Sequence, residues 1–198
     1  ATWLLKVTRN AEIHRCQQLF ELLLDAIRSG KIAPTDEQLW LSTSELAEHQ
    51  PLWGIKLLKA CFVESPTSLK LDSNGRVALL DMYDYNPTMI KTASEAEPQV
   101  FVEVFLPHLL TVMKKTHSNS FEQNLRFDPH FSWRFPTEQE YNDIGRTLYN
   151  GVADALGQWA QKSPNTLTPI LQLLTVDEHD AAQALLYHAL IAGAASYS

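Results

Sequence analysis

The segment from Gln99 to Thr116 constrains the fold more than any other part of the chain. Phe101, Val102, Val104, Phe105, Leu106, Leu109, Val112 and Met113 are spread over nearly every side of its helical projection. A helix that is apolar almost all round has to be enclosed by other elements. The rest of the chain must therefore supply several amphipathic segments to surround it. Pro107, inside the segment, has no backbone donor and is expected to kink it.

Those segments are legible from apolar periodicity. From about Asn10 to Ser29, the residues Ile13, Cys16, Phe20, Leu23, Leu24 and Ile27 recur at helical spacing, with Asn10 as a cap and Gly30 as a left-handed stop. A short helix is expected after Thr35, carrying Leu39, Trp40 and Leu41. A third helical region opens at Thr43 or Ser44 and runs to about Val63, where Pro51 either breaks it or starts a fresh helix. Further on, Thr137-Glu138-Gln139-Glu140 reads as a capping box. Tyr141, Ile144, Leu148, Val152, Ala155 and Trp159 then hold one stripe for about five turns. Ser163-Pro164-Asn165 ends that helix. A short helix around Pro169 to Leu174 and a longer one from about Asp177, with an acidic cap, follow.

Two stretches lack this period. Between Pro66 and Pro98, Asp72-Ser73-Asn74-Gly75 separates Leu69-Lys70-Leu71 from Val77-Ala78-Leu79-Leu80. We expect helix after Gly75, with a small β-hairpin near 69–80 as the alternative. Asn86-Pro87 and Glu97-Pro98 read as punctuation. Between His117 and Pro136 a long loop is expected. The fold class is all-α: an irregular antiparallel helical array, either an α-solenoid fragment of HEAT- or TPR-like kind or an irregular bundle. No tetratricopeptide or ankyrin consensus is present. We read residues 1–198 as a single helical domain, with a possible subdivision into N-terminal helices over 1–65 and a C-terminal array over 99–198. The start at Ala1 and the Ala-rich helical pattern still running near Ser198 lead us to expect a fragment of a longer chain.

Composition narrows the partners. A chain of 198 residues, 45% hydrophobic and 20% charged, can build a core without disulfides or metal. Its net charge is -7, and beyond Thr137 only Arg146 and Lys162 face Glu138, Glu140, Asp143, Asp154, Asp177, Glu178 and Asp180. Nucleic-acid binding relies on clustered cations, so none is expected. No secretory signal or membrane-spanning apolar run is visible, and Cys16 and Cys61 read as buried thiols in a reducing compartment. We expect a cytoplasmic protein with no membrane contact.

Catalytic patterns are missing. His14 and Cys16 point to different helix faces, there is no HExxH, GxSxG, GxxxxGK[ST] or GxGxxG, and His108, His179 and His188 read as core or cap histidines. Asp81 and Asp84 read as a solvated helix end. Neither a catalytic residue nor a cofactor is expected. The unusual feature is the aromatic run Arg126, Phe127, Asp128, Pro129, His130, Phe131, Ser132, Trp133, Arg134, Phe135. Its rings either lock a long loop onto its own helices or anchor a protein partner, because Trp, Phe and Arg bury large areas with few rotors; stacking on single-stranded nucleic acid, with only Arg126 and Arg134 nearby as cations, is the least favoured reading. Arg126, Phe127, Phe131, Trp133, Arg134 and Phe135 are the candidate partner-binding residues.

Pro98-Gln99-Val100-Phe101-Val102-Glu103-Val104-Phe105-Leu106-Pro107, Ala182-Gln183-Ala184-Leu185-Leu186-Tyr187-His188-Ala189-Leu190, and the order of helices between Thr137 and Leu190 resemble the helical C-terminal regions of bacterial antiviral STAND-type NTPases, the AVAST systems. The likeness covers roughly the second half and rests on helix register. It implies that the array recognises a viral protein, while an ATPase domain elsewhere in the parent drives oligomerisation and switches on an effector. None of the ATPase or effector motifs lies in this chain. The expected role is a non-catalytic recognition or scaffold region. The alternatives are a small helical enzyme whose site is assembled from distant polar residues, with His108, His130 and the acidic residues as candidates, and a purely structural assembly domain.

Overall fold

The computed structural model describes residues 13–41, 46–83, 87–116, 131 and 143–194. Most of these residues are helical and none lies in a strand or sheet, so the all-α expectation holds. In chain order the helices are α1 (Ile13–Arg28), α2 (Glu37–Leu41), α3 (Leu46–His49), α4 (Pro51–Phe62), α5 (Pro87–Ala96), α6 (Pro98–Thr116), α7 (Ile144–Lys162), α8 (Pro164–Thr175) and α9 (Asp180–Gly193).

Helix α6 is the enclosed one. Phe101, Val102, Phe105, Leu106, Leu109, Val112 and Met113 are each fully shielded from solvent, and α4, α5 and α7 pack around them. Gln99, Glu103, Pro107 and Thr111 form its solvent-facing strip. The helix runs on through Pro107. The carbonyl of Glu103, which Pro107 cannot serve, lies on that strip, where water can donate to it.

Helix ends follow local chemistry. Helix α1 buries Cys16, Phe20, Leu23, Leu24 and Ile27 and stops at Gly30, whose φ of 73° only glycine adopts freely. The Gly30 amide donates to Ile27 O and the Lys31 amide to Ala26 O, a Schellman closure. Pro51 begins α4 as its first residue, which settles the choice between breaking and restarting. The Trp53 ring stacks on Phe20 at 4.3 Å, and Trp40 stacks on Phe62 while its Nε1 donates to Pro34 O at 2.8 Å. At the rim, Arg28 Nε donates to Glu64 at 2.6 Å and Lys59 lies 2.9 Å from the same carboxylate. Burial works against the Glu64 charge, but these two cations hold its pKa below the ordinary value.

The structure corrects several expectations. The segment after Gly75 is not helical. The Asp72 carboxylate accepts from the amides of Asn74 and Arg76, Gly75 takes a φ of 75°, and a lone antiparallel bridge pairs Leu71 with Val77. Side-chain capture of backbone donors thus closes a tight turn and takes away the start a helix would need. Pro87 is the first residue of α5, not mere punctuation. Helix α7 starts at Ile144, capped by Asp143, whereas the Thr137–Glu140 box lies outside the described residues. Helix α8 starts at Pro164 and contains Pro169. Helix α9 starts at Asp180, and its cap is His179, whose Nδ1 accepts from the Ala181 amide; Asp177 is not the cap.

The last three helices are joined to the rest through α7. It packs against α5, α6 and α9, and buried side chains from Phe20 in α1 to Ala189 in α9 belong to one apolar cluster. No helix among the described residues is long and apolar enough to cross a membrane.

Candidate functional site

The N-terminus of α7 organises the polar side of the molecule. Its first backbone donors are all used: Ile144 N donates to Met82 O, Gly145 N to Leu80 O, Arg146 N to the Asp143 carboxylate at 2.6 Å and Thr147 N to Asp143 O. Burial pushes the Asp143 carboxyl above its usual pKa, against the pull of the Arg146 amide. Tyr83 bridges to Asp143, and a Cβ at Gly145 would stand 3.2 Å from the Leu80 carbonyl. A larger residue here would press on the 77–83 turn.

One turn on, α5 and α7 meet. A Cβ at Gly151 would lie 3.0 Å from Ile90 and 3.3 Å from the Phe101 ring, so a larger residue would need these side chains to give way by a few tenths of an ångström. Beside that contact lies an open cleft of about 330 Å³. Pro87, Thr88 and Lys91 of α5 form one wall; Arg146, Thr147, Asn150 and Asp154 of α7 form the other. Every lining side chain except Pro87 is polar or charged. Lys91 also reaches Glu95 at 3.9 Å along its own helix, a long and exposed pair that contributes little.

The candidate aromatic residues divide. Phe131 is described and only 2% exposed. Its ring lies 5.7 Å from Tyr149 and meets His179 edge-on at 6.1 Å. Tyr149 in turn donates its hydroxyl to Ala181 O at 2.9 Å. Phe131 thus fills the corner where α7 meets the start of α9. Arg126, Phe127, Trp133, Arg134 and Phe135 lie outside the described residues, as do His130 and Asp84.

Among the other residues named from sequence, Cys16 and Cys61 are buried, and burial alone pushes the Cys61 thiol far up, which leaves it unreactive. Asp81 pairs with Arg76 at 2.8 Å. His108 sits in α6 with 5% exposure, and its Nε2 has no hydrogen-bond partner. Burial lowers its pKa to about 4, so at neutral pH it is an uncharged core ring. No group of His, Cys, Asp and Glu among the described residues could hold a metal ion.

The outer face of α9 is the remaining feature. The helix buries Ala181, Ala182, Leu185, Leu186 and Ala189, yet Tyr187 is 62% and Ile191 77% exposed, with Leu190 between them on the same side. Tyr187, Leu190 and Ile191 fall at i, i+3 and i+4, an apolar row on the solvent side of a helix whose inner side is already packed. Compared with family models, curated proteins and solved structures, the chain matches none.

Sequence reasoning missed both the cleft and this row as sites. Lys91 belonged to a helix that had not been recognised. Arg146, Asn150 and Asp154, however, recur every four residues beside a mid-helix glycine, which is a readable signal of a polar helix flank at a close crossing.

Proposed function

We propose that this chain is a non-catalytic helical recognition or scaffold region of a larger cytoplasmic protein, and that its role there is to sense a viral protein for an antiphage STAND-type NTPase. The observation that carries the recognition reading is the outer row of α9. Tyr187, Leu190 and Ile191 are large, apolar and exposed on a helix whose opposite face is already sequestered, and such a row is stabilised when a partner covers it. The sensor identity rests on the resemblance of 98–107 and 182–190 to the AVAST helical regions; the second of these segments contains Tyr187 and Leu190. In this reading the partner is a protein, the chemistry belongs to other domains of the parent, and oligomerisation proceeds through them.

The test is affinity capture with the intact parent from infected and uninfected bacterial lysates, beside a parent lacking this region, with captured proteins identified by mass spectrometry. A viral protein held only when the region is present is the expected result. Host subunits held equally from both lysates would replace the sensor with an assembly scaffold.

A further inference from the structure

We draw no further inference here: the strongest candidate, the buried His108 ring of α6 with its unpartnered Nε2, rests as a pH-sensitive switch only on the lowering of its pKa by burial.

Discussion

Helices α6 and α9 look alike in sequence and differ in the folded chain. Both are apolar on nearly every side. In α6 that character is fully used: Phe101, Phe105, Leu109 and Val112 face three packed neighbours and none is exposed. In α9 the same character is half used, because α7 and α8 cover Ala182, Leu185 and Ala189 while Tyr187 and Ile191 remain in solvent. All-round apolarity therefore states that a helix wants to be covered, and only its place in the array decides whether its own chain does the covering. The difference separates residues that hold the fold together from residues available to something else.

Truncation should separate the two helices most sharply. Phe105→Ala, which empties a fully buried site, should cost about 3–5 kcal/mol in a denaturant titration. Tyr187→Ser with Ile191→Ser should change stability by no more than about 0.5 kcal/mol in the same experiment. Equal losses for the two variants would erase the distinction. Phe131→Ala belongs with the first class, given its 2% exposure and its contacts with Tyr149 and His179.

Acid sharpens the comparison from the core side. His108 titrates near 6.5 when unfolded and near 4 in the fold, so between these values the unfolded chain binds more protons. Stability should therefore fall as pH drops from about 6.5 towards 4, by at most about 3 kcal/mol from this residue, and level off below. His108→Leu should remove that portion of the slope, as read from melting curves across the interval. An unchanged slope would mean the ring is not held uncharged by burial. A smaller effect is expected at the start of α7: Asp143→Ala removes the carboxylate cap of the Arg146 amide and should cost about 1 kcal/mol.

Much of the framework was legible because it depends on local chemistry. The spacing from Cys16 to Ile27, the glycine stop at Gly30 and the fresh start at Pro51 are set by residues within a turn of one another. The failures share a cause. Pro87 marks a boundary equally well as punctuation or as a helix start, and the Met89, Ile90, Ala93 pattern that favours α5 spans only a few residues. The turn at Asp72 was decided by one carboxylate capturing two amides, and the start of α9 by a histidine ring. The cleft was illegible for a different reason: Lys91 and Arg146 come together only through the contact at Gly151, which joins segments 55 positions apart in numbering. Likewise, the Ala-rich helical pattern near the end of the sequence did not show which side of α9 would meet α7.

The most direct test of the recognition role is to place charge on the outer row of α9 without disturbing its buried side. Tyr187→Glu with Ile191→Glu, made in the intact parent, should leave the melting temperature unchanged and abolish capture of a viral protein from infected lysate that the unaltered parent retains. Undiminished capture by a variant that melts normally would contradict the account.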